Sequence, residues 1–374
     1  MKSVLESNQQ SHFWVKLEGT EKVKEALFKG CLYVPSLSSG FKKLRFVLTA
    51  ESIYLVDSNN KPKKRSDLKW KLVEPFVETL NTQKRFGFRI FSEPVFQDFY
   101  AKSQNALDHW ISKLFQVCIF LDLELNLRII RRIGSGGFGQ VRLALDHETQ
   151  NLRAVKSIKK QKLLESSNHI ANLIEEVETM RILDHPNIVK LYKVYEDEES
   201  FHLVEDYVEG IDLCEAILEN GIMTESTAAR IFEQVLNALS YMHSLDICHR
   251  DIKLENVMLD SDYQVKIVDL GLSCTNISKG RTLKCGSFEY VAPEIISGCV
   301  YTSKVDMYSA GVLLYLMLIG KMPEMNSARK LKFKKSVSKE AKDLIKKMME
   351  PNPTLRLDAQ TSVKHPWITQ FKYK

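Results

Sequence analysis

His249-Arg250-Asp251-Ile252-Lys253-Leu254-Glu255-Asn256 decides how the rest of this 374-residue chain is read. The stretch offers a carboxylate, a lysine two positions on and an amide three beyond that. These are the parts that move a phosphoryl group: Asp251 to orient a hydroxyl and accept its proton, Lys253 to neutralise a phosphate oxygen, Asn256 to hold Mg²⁺. Eight polar residues alone describe a charged surface loop equally well. Matching parts elsewhere must decide between the two.

Those parts are present, in a fixed order. Upstream lies Ile133-Gly134-Ser135-Gly136-Gly137-Phe138-Gly139-Gln140-Val141, followed by Ala154-Val155-Lys156. Glycines let backbone amides approach phosphates without a Cβ in the way. Residues 171–183 carry a helical pattern in which Glu176 is placed to partner a lysine, while Glu175 and Glu178 read as surface charges. Downstream, Val265-Lys266-Ile267-Val268 reads as a strand delivering Asp269-Leu270-Gly271.

Taken together, residues 128–369 resemble eukaryotic protein kinases, closest in style to the calcium/calmodulin-dependent kinase group. The resemblance implies an α+β bilobal fold, ATP and Mg²⁺ as cofactors, and protein substrates with serine or threonine acceptors. It assigns catalysis to Asp251, Lys253, Lys156 and Glu176, and metal binding to Asn256 and Asp269. ATP contacts fall on Ile133, Gly134, Gly136, Gly139, Val141, Ala154, Lys156, Asp206, Val208 and Met258. Lys253 and Ser287, the latter in Cys285-Gly286-Ser287, favour Ser/Thr over Tyr specificity. Asp212 and Glu255 match acidic positions that read basic residues upstream of the acceptor. Arg356 is the expected ion-pair partner of Glu294.

The chain departs from the family pattern in four places. Glu205 stands at the gatekeeper position, where a buried carboxylate must be paired, protonated or turned to water. Leu270 replaces the usual phenylalanine. Leu283 occupies the usual activating phosphosite, so Arg250 lacks its usual phosphate partner and Thr282 is the candidate phosphosite. Between Pro323 and Val337 there are too few residues for the usual αG region. The alternative to an active kinase is a pseudokinase or scaffold that binds partners or phosphoinositides without turnover; the intact catalytic set argues against it.

The first third has another character. Gly30-Cys31-Leu32-Tyr33-Val34, residues 44–49, 52–56, 86–91 and 97–101 read as short strands between turns, the pattern of an all-β sandwich or barrel. From 103 to 119 the apolar residues Leu107, Trp110, Ile111, Leu114, Phe115 and Cys118 repeat at helical spacing, with Ser103 as the N-cap. The pieces "KGCLYV", "KKLRFVLTAESIYLV", "FYAKS" and "LDHWISKLF" resemble a pleckstrin-homology domain over 26–119. The resemblance implies a candidate phosphoinositide site at Lys29, Lys42, Lys43 and Arg45. A register slip of one residue would move Arg45 out of that site and match Lys42 with Leu44. Lys61, Lys63, Lys64 and Arg65 form a second basic cluster in an expected loop. Protein docking or autoinhibition is the alternative role for this domain.

The expected organisation is therefore multidomain: an N-terminal extension (1–25), the pleckstrin-homology-like domain (26–119), a short linker (120–127), the kinase domain (128–369) and a tail (370–374). The net charge of +6 is uneven, with 19 Lys/Arg against 14 Asp/Glu in residues 1–124, a balance of +5. Such an excess suits an anionic membrane surface, and no aromatic or Cys/His signature points to nucleic acid. Seven scattered cysteines without a C-x-x-C pair suit reduced thiols. No EF-hand loop occurs in the sequence. The apolar run at 310–320 is too short to span a bilayer. The expected location is cytoplasmic, with the plasma-membrane surface as a peripheral site.

Overall fold

The computed structural model describes residues 12–17, 23, 25–36, 40–80, 82–92, 94–136, 139–324 and 331–371. Most of the expected N-terminal extension lies outside them, as do Gly137 and Phe138 and residues 325–330 of the expected short αG region. The chain divides into two compact units, Met1–Ile170 with Leu191–Asp206 and Ala171–Lys190 with Tyr207–Lys374.

The first unit begins with β1 (Val15–Lys16), β2 (Ala26–Ser36), β3 (Gly40–Thr49), β4 (Ser52–Val56) and β5 (Pro62–Asp67), where β2 to β5 meander and β1 pairs outside β5. A second meander, β6 (Leu72–Leu80), β7 (Gln83–Ser92) and β8 (Val95–Ala101), meets the first where Tyr33 pairs with Tyr100. Side chains alternate across the pleat, so Gly30 and Phe46, and Leu32 and Leu44, point to the core while Cys31 and Arg45 point away. Helix α1 (Gln104–Leu114) covers this core with Leu107, Trp110 and Leu114. Ser103 caps it as expected, its Oγ accepting from the Ala106 N–H at 3.3 Å. Gly30 makes room for the indole, because a Cβ there would stand 2.9 Å from the Trp110 ring.

Two expectations in this region need correcting. Lys63, Lys64 and Arg65 lie on β5, not in a loop, paired with Pro62's neighbours through β4 partners such as Leu55 opposite Lys64 and Tyr54 opposite Arg65. The strand was not visible in the sequence because it has no apolar alternation; of its side chains only Ser66 is fully buried. The helix expected to reach 119 stops at Leu114, and Cys118 and Ile119 are buried outside it.

Beyond α1 come β9 (Ile119–Phe120), α2 (Leu123–Asn126), β10 (Leu127–Gly136), β11 (Gly139–Asp146), β12 (Leu152–Lys159) and α3 (Lys160–Leu164). Helix α4 (Ser167–Ile182) follows, and β13 (Leu191–Glu196) and β14 (Ser200–Asp206) complete the unit. Residues 120–127, expected as a linker, are thus a strand and a helical turn. Strand β9 pairs in parallel with β6 on one side and β13 on the other, making one continuous sheet of fourteen strands. Its burial explains the arrangement: Ile119 and Phe120 are at most 1% exposed and belong with apolar neighbours on both sides. A single buried cluster accordingly runs from Phe46, Phe88 and Trp110 through Phe115 and Phe120 to Ala144, Val155, Tyr195 and Val204.

The second unit is mainly helical. It contains residues 171–182 of α4, then β15 (Gly210–Asp212), α5 (Leu213–Asn220), α6 (Glu225–Ser244), β16 (Val257–Asp260) and β17 (Val265–Ile267). The three strands form a small sheet in the order β15-β16-β17. Then come α7 (Pro293–Ile296), α8 (Lys304–Ile319), α9 (Lys339–Met348), α10 (Ala359–Val363) and α11 (Pro366–Thr369). Helix α8 is apolar on all sides and buried along nearly its whole length, as a central core helix must be. Arg356 and Glu294 form the expected pair, bidentate at 2.7 and 3.0 Å and buried. Among the described residues no helix is long and apolar enough to cross a membrane.

Candidate active site

The loop between α6 and β16 is built on a buried carboxylate. Asp306, on α8 and fully buried, accepts from the backbone N–H groups of His249 and Arg250 at 2.9 and 2.8 Å and contacts His243 Nε2 at 2.9 Å. Burial alone would raise its pKa, but His243 and the two amides hold it below the usual carboxylate value. These bonds fix the backbone just before Asp251, where Arg250 takes a positive φ of 68°. Such conformations are costly for a non-glycine residue and persist only when the surroundings impose them.

Asp251, Lys253, Asn256 and Ser287 converge as the sequence implied. Asp251 Oδ1 accepts from both the N–H and the Oγ–H of Ser287, each at 2.9 Å. Its Oδ2 lies 2.8 Å from Lys253 Nζ and accepts from Asn256 Nδ2 at 3.0 Å. Lys253 Nζ also donates to Ser287 Oγ at 3.0 Å, closing a triangle. Burial works to raise the Asp251 pKa, and Lys253 with Ser287 outweighs it, so the carboxyl sits below its ordinary range and is ionised at neutral pH. Asn256 commits its amide nitrogen to Asp251, donating to the backbone O at 2.8 Å, which leaves its amide oxygen to accept or to ligate.

Asp269 follows β17 with a φ of 59°, and Gly271 N–H donates to its Oδ1 at 3.4 Å. Glu176 on α4 is buried, with Oε2 3.5 Å from where a Gly271 Cβ would stand. A larger residue at 271 would press on both carboxylates. The donor set suits Mg²⁺: a carboxylate from Asp269 and the amide oxygen of Asn256 are hard oxygen ligands. That ion ordinarily takes one or two protein carboxylates and completes its shell with phosphates and water. Among the described residues no group of three His, Cys, Asp or Glu stands ready to hold a metal without such help.

In the first unit, Val141, Ala154 and Lys156 share one face of the sheet, since Val141 pairs with Lys156 and Leu143 with Ala154. Gly136 faces Gly139 across the β10–β11 hairpin. Glycine is obligatory at 139, where a Cβ would fall on the Ser157 carbonyl oxygen. Ile133 and Gly134 lie half-buried on β10. Glu205, 9% exposed, pairs with Ala154 and so lies on the same face, diagonal to Lys156, which pairs with Leu203. A lysine on that diagonal gives the gatekeeper carboxylate a cation on its own face. Asp206 accepts from Tyr192 O–H at 2.6 Å; burial and then Asp206 push the Tyr192 phenol up to about 12. In the second unit Val208 is half-buried, and Met258 sits on β16 between Asp212 and Lys266.

Three further expectations resolve differently. Glu175 was expected on the surface; it is half-buried and holds Arg281 Nη2 at 3.1 Å and the Thr275 N–H at 3.3 Å. Thr282 and Leu283 are exposed. Of the two acidic residues expected to read substrate, Glu255 is exposed, whereas Asp212 Oδ1 caps α5 by accepting from the Glu215 N–H at 2.8 Å. Among the basic residues of the first domain, Lys29, Lys43 and Arg45 share the face away from the core, and Lys42 lies on the opposite face beside Leu44. Arg45 donates to the Ser58 carbonyl at 3.0 Å. No sequence signal marked the cleft of about 480 Å³ beside Lys43, which Tyr33, Lys102, Ser103 and His109 also line.

A family model described as the protein kinase domain matches residues 127–368. Calcium-dependent protein kinase 3 of Plasmodium berghei is 36% identical over 259 residues, covering 64% of this chain and 46% of that protein. CBL-interacting serine/threonine-protein kinase 7 of Arabidopsis thaliana is 37% identical over 253 residues, covering 64% of this chain and 59% of that one. SNF1-related protein kinase catalytic subunit alpha KIN12, also of Arabidopsis thaliana, is 37% identical over 255 residues, with 65% and 51% covered. The chain spans about half the length of these curated relatives.

Proposed function

Because the chain belongs to the protein kinase family, we propose that it transfers the γ-phosphate of ATP to serine and threonine hydroxyls of proteins. The observation that carries this reading is the closed triangle of Asp251, Lys253 and Ser287. An ionised, immobilised carboxylate orients an acceptor hydroxyl and receives its proton as the new P–O bond forms. Lys253 lies beside it to neutralise charge on the transferred group. Ser287 fixes both side chains, so neither must be ordered during the reaction. Mg²⁺ neutralises the phosphates of ATP when bound, and Asn256 and Asp269 would hold it.

The N-terminal domain adds a second element. The order of its strands, four then three with a closing helix, supports the pleckstrin-homology reading. Lys29, Lys43 and Arg45 on one face favour attraction to anionic phosphoinositide membranes, each charge contributing about 1 kcal/mol near such a surface. Leu44 occupies the inward position beside Lys42, so binding would rest on the outward face. The peripheral membrane surface is the location this implies. Retention of the intact chain on phosphoinositide vesicles should fall with salt, and equal retention on neutral vesicles would leave protein docking as the domain's role.

The activity itself is tested by incubating the intact chain with Mg-ATP and a peptide carrying Ser, Thr and Tyr, with basic residues upstream. The labelled product should be phosphoserine or phosphothreonine. Phosphotyrosine alone, or no label, would overturn the proposal.

A further inference from the structure

Arg250 carries a permanent charge into the interior; its side chain is 4% exposed. A buried cation of this kind needs acceptors and a counter-charge. Its Nε donates to the Leu272 carbonyl at 2.6 Å, Nη2 to the Ser273 carbonyl at 3.1 Å and Nη1 to Tyr301 Oη at 3.3 Å. Among the described residues the anion beside it is Glu175, with Oε2 4.0 Å from Nη2. The other oxygen of the same carboxylate takes two donors from the segment after Asp269: the Thr275 N–H at 3.3 Å and Arg281 Nη2 at 3.1 Å. Arg281 also donates to the Thr275 carbonyl at 2.9 Å, so positions 275 and 281 are tied to each other as well as to the helix.

One carboxylate on α4 therefore joins three things: the catalytic-loop arginine, the start of the activation segment and a cation six residues further on. A phosphoryl group placed on the segment would do this by accepting from the same kind of donors. Here the residue counted to that position is Leu283, which has no hydroxyl to modify. We propose that Glu175 is the positioning residue of the activation segment. In this role it supplies from α4 the anion that sets the segment and keeps Glu176, its neighbour, beside Asp269-Leu270-Gly271 without phosphorylation. The inference deepens the kinase reading and rests on it only for its effect on turnover.

The test uses the intact chain, treated with phosphatase and confirmed unmodified by mass. Hydrogen exchange over residues 272–283 reads the positioning without any need for catalysis. Glu175→Gln should speed exchange there about tenfold or more, the scale of losing one charge-assisted contact, while the amides of α8 stay protected. Unmodified wild type should transfer phosphate, and Thr282→Ala should match it. Glu175→Arg and Arg281→Glu should each lower kcat, and the double variant should recover a substantial part of it, which a loss of packing alone would not give. If exchange is unchanged in Glu175→Gln, or if wild type loses its activity on dephosphorylation, the positioning role is refuted. Absence of transfer from every form, with the exchange change present, would instead refute the kinase reading and leave the positioning role standing.

Discussion

Phe120 is paired in parallel register with Tyr195, their ring centroids 6.4 Å apart, and Phe115 packs 4.0 Å from Phe120 on the same side. Lys193, two residues before Tyr195, lies over the Phe115 ring at 4.5 Å and is paired with Asp146 at 3.3 Å. The two-residue strand β9 thus closes the sheet edges of both β6 and β13, which would otherwise present unpaired backbone groups. The N-terminal domain is joined to the β10–β14 sheet by hydrogen bonds and a common core, not by a tether.

Phe120→Ala should therefore lower the stability of the first unit by about 3–5 kcal/mol, the usual cost of emptying a buried aromatic site. Hydrogen exchange should accelerate together over residues 72–80 and 191–196. Acceleration on one side alone would show that the two sheets are independent.

The Arg356–Glu294 pair gives a second test. Both side chains are buried, and removing one leaves the other charged and uncompensated. Arg356→Ala should cost about 3–5 kcal/mol in urea unfolding, because the partner keeps its charge in a dry site. A loss under 1 kcal/mol, the range of a surface pair, would contradict this account.

Asp306 predicts a pH dependence. Its folded pKa lies below the ordinary carboxylate value because His243 and two backbone amides outweigh burial. A carboxyl depressed on folding contributes stability above its unfolded pKa, about 3.9, and loses it as pH falls through the folded value. Urea midpoints should hold steady from pH 7 to about 5 and drop below about 4, and the drop should be shallower in Asp306→Asn. An equal drop in both proteins would assign acid sensitivity to other carboxyls.

Ser287→Ala removes the hydroxyl that joins Lys253 to Asp251 but keeps the backbone N–H donor. The loss of one charge-assisted hydrogen bond, about 1.5–3 kcal/mol, should appear as a fall in kcat of roughly tenfold or more. KM for ATP should hardly move, because Ser287 belongs to the acceptor side. A change confined to KM for ATP would place the residue elsewhere in the reaction.

The catalytic parts were legible because their chemistry needs fixed residue types at short spacing: Asp251, Lys253 and Asn256 within six positions, and Asp269 after an apolar strand. Helix α1 was legible from Trp110 and its neighbours at helical spacing. What escaped the sequence depends on contacts between distant segments. Strand β9 is two residues long and gains its identity only from Val73 and Tyr195 beside it. Strand β5 is polar throughout and is fixed by its backbone partners on β4. Glu175 looked like any helix-surface charge because Arg281 lies 106 residues away.

The central claim is that Asp251 carries phosphoryl transfer from a preorganised site. The most direct measurement is steady-state transfer from Mg-ATP to a Ser/Thr peptide by intact wild type and by Asp251→Asn, with thermal unfolding of both. The account predicts that kcat falls by about 10²-fold or more, the contribution of a positioned acid–base group, while the fold is kept. Equal rates in the two proteins would contradict it.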